Sequence, residues 1–186
     1  MQTFAELCHA RGYIFISAGY SFLPKHTAFD ILKDAEALLN SLTCSDGLAS
    51  VLPDEYSVNP AKIAIVGSSA GGYVAQLVAL QAKQHKIAAL GLLWPMGGRM
   101  LNDAWLNSHI PDWFTRYGQS TTDRPDPLIE WFGSGTYLDY LTGKQGLSNT
   151  LRDLKEQQRL EAIPKEMRIL FPEIRQAELP PSFLIQ

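Results

Sequence analysis

A chain of 186 residues, 46% hydrophobic and 19% charged, is long enough to bury one core and has the balance of an ordinary single globular domain. Its formal net charge of -3 and pI near 5.8, with acidic and basic residues interspersed, leave no basic stripe for nucleic acid or an anionic bilayer. The two cysteines, Cys8 and Cys44, make neither a disulfide framework nor a C-x-x-C pair, which favours a reducing compartment.

The N-terminus, MQTFAELCHARGYIF, places Glu6, His9 and Arg11 where a secretory segment needs an unbroken apolar run, so no signal peptide is expected. No apolar run approaches the roughly 20 residues of a membrane span, and the cytoplasm is the default location. Residues 2 to 11 carry Phe4, Leu7 and Cys8 at helical spacing; Gly12 breaks the pattern, and Tyr13 to Ala18 reads as a buried strand. After a loop from Gly19 to Pro24, Ala28, Ile31, Leu32, Ala35, Leu38, Leu39 and Leu42 follow the i, i+3, i+4, i+7 rule and predict an amphipathic helix over residues 27 to 42. Lys62 to Val66 is a short β-branched run that fits a strand covered on both faces. Ala70 to about Gln84 predicts a helix buried on most sides, and Ile87 to Leu93 the next strand. The β-α-β-α-β order argues for a parallel sheet with helices on both faces.

From residue 95 to 146 Pro, Gly, Trp and Tyr become frequent without strand alternation, as in an insertion or cap. Leu147, Leu151 and Leu154 mark a further helix, Pro164 and Pro172 bracket a short one, and residues 179 to 185, LPPSFLI, end in the first residues of a strand.

The segment Gly67-Ser68-Ser69-Ala70-Gly71 spells G-x-S-x-G between the second strand and the buried helix. Five letters alone are a weak signal, but this context is that of a nucleophile elbow, in which a strained serine is pushed out of the sheet at a strand-to-helix turn. Gly67 and Gly71 would lack the Cβ atoms that collide where strand and helix fold back, and Ser69 would sit where free N–H groups and the helix dipole favour negative charge. A dinucleotide loop needs glycine at the position of Ser69, and a P-loop needs lysine before its Ser or Thr. The remaining alternative is a glycine-rich turn with an ordinary surface serine.

These residues resemble the α/β-hydrolase superfamily, in particular the fold-3 esterase and lipase branch with its fungal members. Gly12 to Tyr20 followed by Leu23-Pro24 looks like the family's strand and its Asp-Tyr-Arg-Leu-Ala-Pro-Glu loop. Asn59-Pro60-Ala61-Lys62-Ile63, with Gly67 to Gly72, is similar to the Asp-Pro-x-Arg-Ile lead-in and G-x-S-x-G-G elbow. Residues 135 to 143, GTYLDYLTG, resemble a cap segment, and Leu179 to Ile185 resembles the strand before the catalytic acid.

The resemblance implies an incomplete α/β-hydrolase fold: a mostly parallel sheet flanked by helices, with residues 1–98 and 165–186 as core and 99–164 as a helical cap. It implies carboxylic-ester hydrolysis through an acyl-enzyme on Ser69, with the Ala70 N–H in the oxyanion hole, Gly67, Gly71 and Gly72 shaping the elbow, a small-molecule ester as substrate, and no metal or cofactor. The family's His-Gly-Gly oxyanion loop would lie upstream of Met1, and its catalytic acid and histidine beyond Gln186, so the chain is expected to be clipped at both ends and to hold no catalytic acid or base. The competing expectation is a catalytically incompetent hydrolase-like fragment. Asp103 and His109 satisfy the order of a triad but lie in the cap; His9, His26 and His85 read as surface histidines, and Asp139 as a packing residue. Trp105, Trp113, Phe114, Trp131, Phe132 and Tyr137 could line an acyl pocket or simply build core. The family's missing central strand falls between the strands read at 13 to 18 and 62 to 66, which therefore either pair directly or leave sheet edges open to self-association.

Overall fold

The longest helix among the described residues begins where Thr27 and Asp30 cap each other. The Asp30 N–H donates to Thr27 Oγ1 (3.4 Å), while Thr27 N–H and Oγ1–H donate to Asp30 Oδ2 (3.0 and 2.8 Å). The two bonds that reach the carboxylate, the one from the Thr27 backbone foremost, pull the Asp30 carboxyl down to about 2. From this cap α2 (Ala28–Thr43) runs on with Ala28, Ile31, Leu32 and Leu39 buried, the stripe that the periodicity predicts. Thr27→Ala should cost about 1 kcal/mol, read as a lowered Tm in thermal melts; an unchanged Tm would show the cap to be idle.

The computed structural model describes residues 3–23, 25–82, 85–96, 99–106 and 134–185. A short helix α1 (Phe4–His9) opens the chain, with no buried residue. Strand β1 (Ile63–Ser68) leads into α3 (Ala70–Gln81), which crosses to β2 (Ile87–Leu93), and the described chain closes with β3 (Ser182–Ile185). Among the described residues the sheet is three-stranded and parallel in the order β1-β2-β3, with Ile65 beside Leu90 and Leu93 beside Ile185. Between β2 and β3 lie α4 (Asp103–Leu106), α5 (Tyr137–Thr142), α6 (Leu147–Glu156) and α7 (Lys165–Arg168). The helices expected from Leu147 and between Pro164 and Pro172 are therefore present, as is the terminal strand.

One contiguous core joins α2 and α3 to the later helices: Ile31, Leu77, Met100, Leu106, Leu138, Leu141, Leu151, Met167 and Phe171 belong to a single buried cluster. Helix α3 is its axis, buried from Gly72 through Val78. The Tyr73 hydroxyl donates to the Leu170 carbonyl (2.8 Å), and Arg175 reaches the Leu80 carbonyl (3.1 Å), so the segment before β3 is tied to both ends of that helix.

Two sequence expectations are corrected. Residues 13–18 form no strand; Tyr13 is 65% exposed, and Phe15 packs edge-on against Phe4 at 5.8 Å. An aromatic, β-branched run carries β-propensity, but a strand exists only where a second edge accepts its hydrogen bonds, and no described strand lies beside this one. Strand β1 is likewise covered on one face rather than two. Ile63 and Ile65 turn toward the helices, whereas Ala64 and Val66 are exposed, and Ala89 is exposed beside them on β2. Of the two outcomes foreseen for the segments at 13–18 and 62–66, direct pairing is absent and open apolar surface is what remains.

Candidate active site

At the carboxyl end of β1 the chain must reverse into α3 within one residue, and that residue is Ser69. Its backbone stands at φ 51°, ψ -122°, in the positive-φ region that an L-residue enters only at a cost. Two bonds from the neighbouring strand end brace it: the Ser69 N–H donates to the Leu93 carbonyl (3.1 Å), and the Met96 N–H donates to the Ser69 carbonyl (2.8 Å). Trp94, between those partners, is itself at φ 45°. The strained serine is thus held by a second strained turn that the sequence does not advertise.

Glycines set how tightly the elbow closes, though not all three that the motif suggests. A Cβ on Gly67 would fall 2.1 Å from the Gly71 carbonyl oxygen and 2.8 Å from the Gly72 nitrogen. A Cβ on Gly72 would fall 2.6 Å from Pro95 Cβ. On Gly71 it would meet the Tyr20 hydroxyl oxygen at 3.7 Å, an ordinary contact. The steric demand therefore rests on Gly67 and Gly72, which corrects the reason expected for Gly71.

Ser69 is exposed, and its side chain does not cap the helix it precedes. As the first residues of α3, Ala70 and Gly71 have N–H groups with no acceptor one turn back and none elsewhere among the described residues; Gly72 N–H turns back to the Ser69 carbonyl (3.0 Å). A hydroxyl thrust outward beside open backbone donors at a helix N-terminus is an arrangement that can stabilise negative charge developing on a carbonyl oxygen.

The other candidate residues lie apart from this turn. His85 follows α3 at its far end, a helix length of roughly 18 Å from Ser69, and its ring bonds to Asn40 Oδ1 (3.0 Å) and Thr43 Oγ1 (3.4 Å). His9 ends α1 and His26 precedes α2. Asp139 is structural: its carboxylate accepts from the Gly146 and Ser148 N–H groups, each at 2.6 Å, and so joins α5 to the start of α6. Tyr137 is buried against Trp105, ring centroids 5.0 Å apart, and burial pushes its hydroxyl up to about 12. These two aromatics build core. The side chain of Asp103, and His109, Trp113, Phe114, Trp131 and Phe132, lie outside the described residues. Among the described residues no group of His, Cys, Asp or Glu is arranged to hold a metal ion.

Glu173 is a buried carboxyl that no sequence pattern marks. Glu173 Oε1 accepts the Leu101 N–H (2.7 Å), while its Oε2 is buried without a hydrogen-bond partner among the described residues. Burial raises this carboxyl above the ordinary range, against the opposing pull of the backbone N–H groups of Leu101, Glu173 and Met100. A carboxyl raised in the folded state contributes stability that is full below its unfolded value and is lost as pH rises through the folded value. Glu173→Gln keeps the acceptor for Leu101 and removes the charge. Its Tm should exceed that of the parent at neutral pH, the gap closing as the pH is lowered; a constant gap would contradict this.

Among the described residues no helix is long and apolar enough to cross a membrane. No curated protein and no solved structure matches the chain. The family model for the alpha/beta hydrolase fold matches residues 1–143, a span that holds α2, the elbow and β2. With a parallel sheet, a strained serine between strand and helix, and that match over most of its length, the chain belongs to the alpha/beta hydrolase fold family, in its fold-3 esterase and lipase branch.

Proposed function

We propose that the protein is a serine hydrolase acting on carboxylic esters of small molecules, with Ser69 as nucleophile. The observation that carries this reading is the backbone of Ser69: an exposed hydroxyl at φ 51° on a turn closed by Gly67 and Gly72. Nothing in the fold requires a serine there, since its side chain makes no cap, and strain of this kind concentrates where it serves chemistry. Ser69 Oγ bonds to the ester carbonyl carbon, and the tetrahedral oxyanion is met by the Ala70 N–H. The C–O bond to the alcohol then breaks, the alcohol leaving with a proton, and water releases the acyl group as a carboxylic acid. The cap is assigned to residues 99–164, whose described part joins the main core through Leu106, Leu138 and Leu151.

A fluorophosphonate probe tests the reading. It should label the 186-residue protein at Ser69, with labelling lost in Ser69→Ala. A folded protein that takes up no probe would make this a hydrolase-like chain without catalysis. That second reading draws on one observation: among the described residues no imidazole bonds to Ser69, and His85 is committed to Asn40 and Thr43.

A further inference from the structure

The loop that carries Tyr20 is fixed from below. The Ser21 N–H donates to Asp34 Oδ2 on α2 (2.8 Å), and these hydrogen bonds from Ser21 hold the Asp34 carboxyl below its ordinary range, so it remains an acceptor throughout the neutral region. The Tyr20 ring leans on Phe22, centroids 5.1 Å apart, and packs against the main core. Its body is thereby held without help from its hydroxyl, which makes no hydrogen bond among the described residues. That hydroxyl lies 3.7 Å from the position a Cβ on Gly71 would take, beside the first turn of α3, where the N–H groups of Ala70 and Gly71 are also open.

A half-buried phenol ordinarily finds an acceptor, and this one has none among the described residues. The acceptor missing from the group is one that all three could share: an oxygen carrying negative charge, arriving next to Ser69. With no side chain, Gly71 leaves the space beside the phenol hydroxyl open, where a Cβ would come within 3.7 Å of it. We propose that the Tyr20 hydroxyl is a second oxyanion donor of this site, acting with the Ala70 N–H on the oxygen of the tetrahedral intermediate. The proposal rests on Ser69 being the nucleophile. No bond to Tyr20 forms or breaks; its O–H donates a hydrogen bond that strengthens as the carbonyl oxygen gains charge.

The experiment compares wild type, Tyr20→Phe and Ser69→Ala for the rate of fluorophosphonate labelling and for hydrolysis of a p-nitrophenyl ester, with thermal melts alongside. Removal of one oxyanion donor should slow labelling and lower kcat by about 100-fold or more, with KM little changed. The Tm of Tyr20→Phe should stay at that of wild type, since the hydroxyl bonds to nothing among the described residues. In a crystal structure of the wild-type phosphonyl adduct, the adduct oxygen should lie within hydrogen-bond distance of both Tyr20 Oη and the Ala70 nitrogen. Wild-type rates in Tyr20→Phe, or an adduct oxygen beyond about 4 Å from Tyr20 Oη, overturn the assignment while leaving Ser69 in place. A wild-type protein that takes no label at Ser69 overturns both, and a Tyr20→Phe protein that loses rate only in proportion to a lowered Tm assigns the residue to packing.

Discussion

Gly67→Ala should destabilise the protein by about 3 kcal/mol or more, whereas Gly71→Ala, four residues on, should be neutral or stabilising by up to about 1 kcal/mol. The contrast follows from what each new methyl meets. At Gly67 the obstacles are the carbonyl oxygen of Gly71 at 2.1 Å, its carbonyl carbon at 2.5 Å and the Gly72 nitrogen at 2.8 Å, all backbone. No rotamer change relieves backbone, so β1 and α3 must separate, and α3 cannot move alone because its buried residues from Gly72 to Val78 hold the core. At Gly71 the methyl finds one hydroxyl at van der Waals distance, and alanine in a first helical turn lowers the entropy lost on folding. Urea denaturation of the two variants decides the matter: equal midpoints would mean that the elbow is looser than its geometry says. Loss of fluorophosphonate labelling in Gly67→Ala at temperatures where the protein remains folded would add that the tight turn also positions Ser69.

The same pair of glycines shows how far the sequence could be read. G-x-S-x-G-G announces a tight turn, and β1, α3 and β2 emerge close to where their apolar runs place them, because a strand ending in glycine before a small-residue helix admits few conformations. Which glycine is sterically required depends on the angle at which α3 leaves β1, and that angle is recorded in Pro95 and Trp94 on the next strand end, some 25 residues away. The exposed face of β1 was illegible for a related reason: alanine and valine are apolar whether or not anything covers them, so Lys62 to Val66 reads as doubly buried while Val66 is 47% exposed. Residues 13–18 form no strand because pairing is a property of two segments and propensity a property of one. Glu173 left no trace at all, since a carboxyl after a proline in a short turn looks like any surface residue until Leu101 closes over it. Tyr20 was visible as part of a loop, but its hydroxyl acquires a use only once that loop is seen beside Gly71.

Ser69→Gly should make the protein more stable and chemically silent at once. A side chain at φ 51°, ψ -122° is held in a region that costs on the order of 1–3 kcal/mol for residues other than glycine, and the bonds from Ser69 N–H to Leu93 and from Met96 N–H to the Ser69 carbonyl are what hold it there. Glycine adopts that backbone without the clash, at the expense of about 0.5–1 kcal/mol of extra chain entropy in the unfolded state, so a net gain of about 1 kcal/mol is expected in urea denaturation. Ser69→Ala keeps the Cβ and hence the strain, and its stability should stay within about 0.5 kcal/mol of the parent. Both variants lack the hydroxyl, so both should lose fluorophosphonate labelling and fall, in ester hydrolysis, to the residual that binding and the oxyanion donors supply, on the order of a thousandfold or more below the parent. The two substitutions thus separate energy stored in the backbone from chemistry carried by the side chain. A glycine variant less stable than alanine would show that Ser69 sits at ease in its turn, removing the physical reason to regard it as held for a reaction. A parent protein already at the level of Ser69→Ala would place this chain among hydrolase folds that keep the elbow without its chemistry.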